Sequence, residues 1–335
     1  MIESISRDRL TALLGAAQGK RIAVVGDAML DVYLRGEVER ISPEAPVPVV
    51  RIRERKLALG GAANVANNIV TIGADCEIVC AVGNDTAGKT LRDMLRQTRT
   101  ETRSLVSVAR PTTTKTRVVA RAQQLVRYDE EDDADLDAAE TGRLLDAVRA
   151  AITEADAVVL EDYNKGVLVP VVIESAIRWA GEREIPVVVD PKYRNFFAYR
   201  GATIFKPNRR ELELALGAEF DIEHPEALSL TFDRLGVQYL LLTLGEKGMA
   251  LLSADGETGR IPTTAREVYD VVGAGDTVSA YLATMLAAGG TPAEAAVIAN
   301  YAAGVEVAKL GAATVRTDEV IEAYDDFNGH SNAGA

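Results

Sequence analysis

Cysteine and histidine are scarce in this chain of 335 residues, which holds two of each, and aromatic residues make up only 5%. Cys76 and Cys80 flank an apolar stretch that has no histidine cluster beside it, so the sequence predicts buried thiols rather than a metal centre or a disulfide. No apolar run reaches the roughly 20 residues of a membrane span, and the first residues lack a basic segment followed by an apolar one. We therefore expect a cytoplasmic protein without a membrane partner.

Positive charge is also in short supply, with 37 Lys and Arg against 50 Asp and Glu, a net charge of −13 and an isoelectric point of about 4.8. This balance argues against the basic face that nucleic acids and anionic membranes require. An anionic substrate would need a local cationic pocket. Hydrophobic residues reach 47%, so the chain can build one large α/β domain or two modest ones.

The most informative stretch is the glycine-rich turn 273–276, which precedes a run of small and apolar residues at helical spacing. The turn lets the N–H groups of Gly273, Ala274 and Gly275 converge at a helix start, where they can hold an anion. Asp276 is unfavourable beside an anion unless it accepts a proton, and phosphoryl transfer from a hydroxyl group requires such an acceptor. An ordinary helix cap with an acid in its first turn fits the same residues equally well. A dinucleotide site fits poorly because the third glycine of its fingerprint is missing.

Short apolar strands alternate with helices through most of the chain, and polar residues follow the strands. The predicted strands include 21–26, 157–160 and 239–243, and the predicted helices include 3–18, 86–97, 138–153, 170–182, 276–289, 292–309 and 317–325. Residues 328–335 are predicted to be a disordered tail. In open α/β sheets ligands bind at the carboxyl ends of the strands, so one site is expected where these residues gather: Asp27, Asn84, Asp162, Asp190, Asn208 and Gly245.

Two blocks, 32–59 and 112–128, alternate apolar and polar residues and so predict strands with one solvated face. They interrupt the βα pattern and are expected to form a separate small sheet, which serves as a lid, as an oligomer surface or as both.

Four further positions are candidates for substrate binding. Asn64 follows Gly60 and Gly61 at the start of a predicted helix, where its amide needs partners: sugar hydroxyls, or else a cap or core contact. Lys89, near the start of helix 86–97, is a candidate for a substrate phosphate, although a surface lysine is the commoner case. Asp27 or Asp31 could hold sugar hydroxyls, and a turn aspartate is the alternative.

Segments 60–66, 208–211 and 270–276, in this order, resemble the ribokinase (PfkB-type) sugar kinases. Segments 26–33, 40–49, 162–168 and 189–192 are more specifically similar to the heptose 7-phosphate kinases of lipopolysaccharide core synthesis. The resemblance implies a three-layer α/β/α sandwich over residues 1–327, with a mostly parallel central sheet and a small β lid. Many relatives carry a fused nucleotidyltransferase domain, and we expect this chain to be the stand-alone kinase.

The resemblance also assigns roles to residues. Asp276 would be the catalytic base, with the N–H groups of Gly273, Ala274 and Gly275 stabilising the transferred phosphoryl group. Glu211 would act with Asn208 on the ATP phosphates and on Mg²⁺, through water. The remaining ATP-binding residues would be Thr243, Gly245, Gly248, Asn300 and Ala303. The substrate-binding residues would be Asp27, Gly60, Gly61 and Asn64, with Asp162 as a further candidate. The substrate phosphate would need a cation, for which the candidates are Lys89, Lys165, Lys192, Arg51, Arg117 and Arg127.

The expected reaction is therefore ATP-dependent phosphorylation of the anomeric hydroxyl of D-glycero-D-manno-heptose 7-phosphate, giving the 1,7-bisphosphate on the route to ADP-heptose. A kinase for another phosphosugar, such as fructose 6-phosphate, is the nearest alternative. A catalytically silent sugar-binding sensor and a nucleotide-dependent dehydrogenase are the alternatives from other classes. Family analogy pairs the lid strands across a homodimer.

Overall fold

The computed structural model describes residues 5–121, 123–265 and 267–332. Its helices are α1 Arg7–Ala16, α2 Ala62–Ile72, α3 Thr86–Gln97, α4 Ala138–Glu154, α5 Pro170–Glu182, α6 Arg209–Leu216, α7 Pro225–Leu235, α8 Ala274–Ala287, α9 Pro292–Glu306 and α10 Thr317–Asn332. Its strands are β1 Arg21–Gly26, β2 Ala28–Ile41, β3 Pro48–Gly61, β4 Asp75–Gly83, β5 Leu105–Val108, β6 Thr114–Ala120, β7 Gln123–Glu130, β8 Ala157–Glu161, β9 Val187–Asp190, β10 Ile204–Phe205, β11 Tyr239–Thr243, β12 Met249–Ser253 and β13 Thr258–Ile261.

The central sheet has nine strands in the order β13-β12-β11-β10-β9-β8-β1-β4-β5. All neighbours from β11 to β5 pair in parallel, and β12 and β13 are added at the edge as antiparallel strands. The chain builds the sheet outward from β1 in one direction and then, from β8, in the other. Such a reversal opens a crevice at the carboxyl ends of the two central strands.

Helices cover both faces of this sheet because its strands are apolar at successive positions. In β1, Ile22 and Val24 belong to one buried cluster, with α1, α2, α8 and α9, whereas Ala23 and Val25 belong to a second cluster, with α4, α5 and α7. Side chains alternate between the faces of a strand, so a strand buried on both sides reads as a continuous apolar run. The predicted three-layer α/β/α fold is confirmed.

The second sheet has four strands in the order β3-β2-β6-β7. Strands β2 and β3 form a long antiparallel hairpin, β6 pairs with β2 in parallel, and β6 and β7 form a second hairpin. The two alternating blocks of the sequence therefore pair into one sheet. It grows directly from the carboxyl end of β1, because β2 begins two residues after that strand ends, and so it stands at the crevice.

Several predicted boundaries were wrong or incomplete. Strand β5 and helix α7 were not predicted, and α9 ends at Glu306 rather than at 309. Helix α10 runs to Asn332, so residues 328–332 are helical where a disordered tail was predicted. Residues 3 and 4 of the first predicted helix, Ala122 of the second alternating block and the tail residues 333–335 lie outside the described residues. Among the described residues, no helix combines the length and apolar character needed to cross a bilayer.

Candidate active site

The start of α8 is shaped by Gly273, whose φ of 98° is left-handed. A side chain at this position would lie 3.1 Å from both Asn64 Nδ2 and Glu306 Oε1, so both the backbone angle and the space favour glycine. The next residues are the first of the helix, where the backbone N–H groups have no partner within the helix. The N–H groups of Gly275 and of Ala274, which lies 3.5 Å from the Val271 carbonyl oxygen, are therefore candidates for the anion seat that the sequence predicts.

Asp276 lies in the first turn of α8 and is only 5% exposed. Its Oδ2 accepts a hydrogen bond from Asn64 Nδ2 at 2.8 Å, and its Oδ1 accepts one from Tyr163 Oη at 2.9 Å. Burial raises the pKa of Asp276 to about 6, while these two donors oppose the rise by stabilising the carboxylate. The side chain is thus fixed in place by two segments distant in sequence, and it remains ionised above about pH 6.

Two more acids lie beside Asp276. Glu161 ends β8 and Asp190 ends the neighbouring strand β9, and the two residues are paired across the strands. Single oxygens of Glu161, Asp190 and Asp276 all lie within 4.8 Å of one another. Lys206 Nζ contacts Asp190 Oδ2 at 2.7 Å, and although burial lowers the pKa of Lys206, Asp190 and Glu161 reverse that effect, so its pKa is raised.

A cavity of about 830 Å³ opens at the carboxyl ends of the strands beside this cluster. All the predicted catalytic and ATP-binding residues line it, together with Lys192 from the substrate candidates. These are Gly273, Ala274, Gly275, Asp276, Asn208, Glu211, Thr243, Gly245, Gly248, Asn300 and Ala303. The structure thus gathers in one place residues from five segments that the sequence had predicted separately.

One side of the cavity is built by the start of α6. Asn208 Oδ1 accepts from Glu211 N–H at 2.8 Å, and Glu211 Oε2 accepts from Asn208 N–H at 2.9 Å, which forms a capping box. The other oxygen of Glu211, Oε1, contacts Lys192 Nζ at 2.7 Å. Because both oxygens already have partners, Glu211 fits Mg²⁺ held through a bridging water better than direct coordination.

The opposite side of the cavity is closed by the turn after β11 and by α9. Gly248 has a φ of 84°, and a side chain there would lie 2.1 Å from the carbonyl oxygen of Ile261, so the position accepts only glycine. Asn300 Nδ2 donates to the Pro262 carbonyl at 2.9 Å. Asn300 therefore holds the segment after β13 in place, and Thr243, Gly245 and Ala303 line the rest of this wall.

The carboxylate of Asp27, a predicted partner of sugar hydroxyls, makes structural hydrogen bonds. It accepts hydrogen bonds from the N–H groups of Tyr163, Lys165 and Val167 at 2.9, 2.9 and 3.2 Å, and the residue is 2% exposed. It therefore holds the loop after β8, which carries Tyr163. Asp31, the alternative left open by the sequence, pairs with Arg117 on the lid sheet and lies beside Gly60.

Asp162 and Lys89, two further substrate candidates, do not line this cavity. Asp162 is 1% exposed and accepts from Tyr199 Oη at 2.8 Å and from Asn164 N–H at 2.7 Å. Burial raises the pKa of Asp162 to about 6, and the carboxyl is enclosed behind the loop rather than presented to the crevice. Lys89 is exposed on α3 and is not among the residues that line the cavity.

Gly60 and Gly61 let the lid hairpin approach the site closely. A side chain at Gly60 would lie 2.5 Å from Asp31 Oδ2, and one at Gly61, where φ is 56°, would lie 2.4 Å from the Asp27 carbonyl oxygen. Asn64, the third residue of α2, donates to Asp276 and has Asn68 Nδ2 3.4 Å from its own Oδ1. Its amide is satisfied within the protein, so it positions the candidate base.

Sequence reasoning missed Glu161, Tyr163 and Lys206 as site residues. Tyr163 directly follows Asp162, and Lys206 directly follows Phe205 at the end of β10. The strand-end argument that selected Asp162 and Asn208 would therefore have included both. Glu161 directly follows the predicted strand 157–160, and its full burial is unusual for a charged residue.

Comparison with known proteins identifies the family to which the chain belongs. Residues 20–319 match the model of the pfkB family carbohydrate kinases. The chain belongs to this family. It is therefore a sugar kinase, and the family implies ATP as the phosphoryl donor.

Several curated relatives resemble the kinase over nearly its whole length, each named bifunctional protein HldE. The protein from Rhodospirillum rubrum is 44% identical over 318 residues, which is 94% of this chain and 64% of the relative. The one from Shewanella piezotolerans is 45% identical over 325 residues, or 96% of this chain and 66% of the relative. The kinase thus spans about two thirds of the length of the curated relatives that it matches.

Solved structures confirm the fold at lower sequence similarity. The kinase is similar to an Arabidopsis thaliana ribokinase complexed with ribose and ATP, with a TM-score of 0.71, 20% identity and coverage of 91% of this chain and 98% of the other. It is also similar to the tetrameric inhibited form of phosphofructokinase-2 from Escherichia coli, with a TM-score of 0.76, 18% identity and coverage of 93% and 100%.

Proposed function

We propose that the kinase phosphorylates the anomeric hydroxyl of D-glycero-D-manno-heptose 7-phosphate with ATP, giving the 1,7-bisphosphate, in the cytoplasm on the route to ADP-heptose. The observation that carries the chemistry is Asp276, buried beside the N–H groups at the start of α8 and held by Asn64 and Tyr163. The substrate class rests on the heptose-kinase segments of the sequence and on the HldE relatives.

In the proposed reaction, a carboxylate oxygen of Asp276 accepts the proton of the sugar hydroxyl. The hydroxyl oxygen then bonds to the γ-phosphorus, and the bond from that phosphorus to the bridging oxygen breaks, which releases ADP. The N–H groups of Gly273, Ala274 and Gly275 stabilise the charge on the transferred group. Because the pKa of Asp276 is about 6, the base is ionised at neutral pH and still basic enough to accept a proton.

Mg²⁺ would neutralise the ATP phosphates, as it does in phosphoryl transfer generally. Glu211 fits this role through water, because Lys192 and the Asn208 N–H already occupy its oxygens. Lys192 carries its ammonium 5.2 Å from the ring centre of Tyr163. It therefore stands between the nucleotide side of the cavity and the loop that holds the base.

The sugar itself would lie between the cavity and the lid sheet. We place Asp31 there as the partner of sugar hydroxyls, in place of Asp27, and Arg117 beside it as the cation closest to the substrate phosphate. Arg117 also stacks over the Tyr33 ring, 5.2 Å from its centre. Lys165 and Arg127, which pair with Glu131 and Asp129, are the other candidates for this phosphate.

The Asp276→Asn variant tests the chemistry. The side chain keeps its shape but loses its basicity, so we expect kcat to fall by about 10²- to 10⁴-fold, with ATP binding measured by calorimetry within twofold of wild type. Near-normal turnover would remove Asp276 as the base. Loss of ATP binding together with activity would indicate damage to the site rather than to the proton transfer.

A panel of sugars tests the substrate. ADP release is measured with heptose 7-phosphate, fructose 6-phosphate and their unphosphorylated forms, and kcat/KM should be highest for the heptose phosphate. A preference for fructose 6-phosphate would favour the second candidate kinase. Binding of sugar without any sugar-dependent ADP release would favour the silent sensor.

We also propose that the lid sheet joins two copies of the kinase. The sheet exposes apolar side chains, namely Ile41, Val47, Ile52, Val126 and Tyr128, each more than 40% exposed. Strand β7 is exposed over almost its whole length, which leaves an open edge and an apolar face for a second sheet. Light scattering should give a dimer for wild type and a monomer for Val126→Glu, and a wild-type monomer would exclude this arrangement.

A further inference from the structure

Lys206 is a charged side chain of the cavity to which the proposed reaction gives no role. It directly follows β10, is 3% exposed, and lines the cavity at the carboxyl ends of the strands. Its ammonium donates to Asp190 Oδ2 at 2.7 Å, and among the described residues this is its only hydrogen-bond partner. Because an ammonium carries three N–H donors, two of them are left for a ligand in the cavity.

The ammonium lies against the anion seat at the start of α8. A side chain built on Gly275 would begin 3.5 Å from Lys206 Nζ and 3.5 Å from Asp190 Oδ2. The N–H of Gly275 is a candidate for that seat and is close to the same Cα as such a side chain would be. A phosphoryl group bound at this N–H would therefore lie within reach of the Lys206 ammonium.

The charge of Lys206 is available to such a group. Burial lowers the pKa of Lys206, but the neighbouring carboxyl groups, Asp190 first, raise it by more, so the side chain stays an ammonium. Burial and the charge of Asp190 raise the pKa of Glu161 well above its usual range, so Glu161 keeps its proton at neutral pH. Asp190 therefore fixes the position of Nζ without a second carboxylate that competes for it.

The other lysine of the cavity is engaged differently. Lys192 Nζ contacts Glu211 Oε1 at 2.7 Å, on the side where the ATP phosphates and Mg²⁺ are proposed to lie. Among the described residues, no further lysine or arginine lines the cavity. In phosphoryl transfer the charge is spread over three oxygens of the transferred group, and a cation fixed in advance stabilises it most where water is excluded. Lys206 is the side chain in position to do so.

We propose that Lys206 is a catalytic residue that donates hydrogen bonds to the phosphoryl group while it passes from ATP to the sugar. The inference rests on the proposed phosphoryl transfer but not on which sugar accepts the group. No bond of Lys206 is made or broken. Asp276 takes the proton of the hydroxyl, and the phosphorus exchanges the bridging oxygen of ATP for the sugar oxygen. Asp190 acts through Lys206 and is a positioning residue.

Binding of a mimic of the transferred group tests the proposal. ADP with Mg²⁺ and aluminium fluoride is compared with ADP and Mg²⁺ alone, by calorimetry in the presence of heptose 7-phosphate. Lys206→Met should weaken binding of the aluminium fluoride complex by about 10²-fold and leave ADP binding within about threefold of wild type, while kcat falls by about 10²- to 10³-fold. The control Lys20→Met, directly before β1 at the opposite end of the sheet, should match wild type in all three measurements.

The outcomes separate this role from a structural one. An equal loss of affinity for both complexes, or no loss for either, would overturn the proposal, because a lysine that only supports the fold affects both alike. No ADP release from wild type with any sugar of the panel would refute the kinase reaction and this inference with it. Normal wild-type activity with unchanged activity in Lys206→Met would refute the inference alone.

A second measurement does not depend on the variant folding. Crystals of the wild-type protein, grown with ADP, Mg²⁺, aluminium fluoride and the sugar phosphate, should place a fluoride within about 3 Å of Lys206 Nζ. Fluorides held only by N–H groups and Mg²⁺, with Nζ bound to Asp190 alone, would contradict the proposed role.

Discussion

Replacing Glu306 with glutamine should make the kinase more stable, and increasingly so as the pH rises. Glu306 ends α9, is 0% exposed, and has Oε1 about 3.1 Å from where a side chain on Gly273 would begin. Burial raises the pKa of Glu306 from its ordinary 4.5 to about 8. The Ala313 N–H opposes the rise, and the negative charges of Asp276 and Asp270 add to it.

The sign follows from proton linkage. Between pH 4.5 and 8 the folded protein keeps a proton on Glu306 that the unfolded chain has lost, so the free energy of unfolding falls as the pH rises through this range. The loss is complete above about pH 8, where the folded group also ionises. A difference of about 3.5 in pKa corresponds to at most ~5 kcal/mol, and structural relaxation around the charge reduces it to about 2–4 kcal/mol. Glutamine cannot ionise and avoids this loss.

Urea unfolding followed by circular dichroism, from pH 5 to pH 9, measures the effect. At pH 5 the variant and wild type should agree within about 1 kcal/mol, and at pH 9 the variant should be more stable by about 2–4 kcal/mol. Glu257→Gln, at an exposed position, should show a difference that does not change with pH. A constant difference between Glu306→Gln and wild type over the whole range would refute the reasoning.

Three further predictions use other parts of the site. Gly248→Ala should lower the free energy of unfolding, measured with urea, by at least ~2 kcal/mol, because its φ of 84° and the Ile261 carbonyl exclude a side chain. Gly142→Ala, within α4 and without a neighbour in reach, should raise it by about 0.5–1 kcal/mol. Similar losses in both variants would contradict the prediction. Asp27→Asn should lower the free energy of unfolding by about 1–3 kcal/mol and reduce kcat/KM, because a neutral amide holds the loop of Tyr163 less firmly; unchanged stability would show that the three N–H bonds contribute little. Arg117→Ala should raise KM for the sugar phosphate about tenfold or more and leave KM for ATP unchanged, and an equal rise for both substrates would place Arg117 outside the sugar site.

The fold was largely predictable because its signals are local. Strands β1 and β8 are apolar apart from Arg21 at the start of one and Glu161 at the end of the other, and helices such as α3 and α5 begin and end at the predicted residues. Helix α10 was predicted too short, since its polar sequence suggests an end near 325. It continues because Tyr324 and Phe327 pack against Tyr301 of α9, with ring centres 5.4 and 6.0 Å apart. Such tertiary packing overrides local preference and leaves no mark at the helix end itself.

The sequence predicted which residues gather at the candidate site better than it predicted what each of them does there. The strand-end argument selected Asp27, Asp162 and Asn208 because each follows an apolar run. The path of the loop after β8 decided which of them faces the cavity, and that path returns the N–H groups of residues 163–167 to Asp27. A local sequence pattern does not show that this loop folds back onto Asp27. Glu161 was missed for a related reason, since its burial depends on β9 and α8 lying against β8.

The correction at Asp27 changes how the base should be understood. Asp27 is the single residue between β1 and β2, the first strand of the lid sheet. It fixes the loop that carries Tyr163, and the Tyr163 hydroxyl in turn donates to Asp276. Asn64, at the other end of the β2–β3 hairpin, holds the second oxygen of the same carboxylate. Both hydrogen-bond partners of Asp276 are therefore held next to the ends of β2 and β3 where the lid sheet joins the main domain. A movement of the lid on sugar binding would reach Asp276 through these two hydrogen bonds. Weakening either bond would raise the pKa of Asp276, because both donors stabilise its carboxylate, and would leave the N–H groups at Gly273 in place.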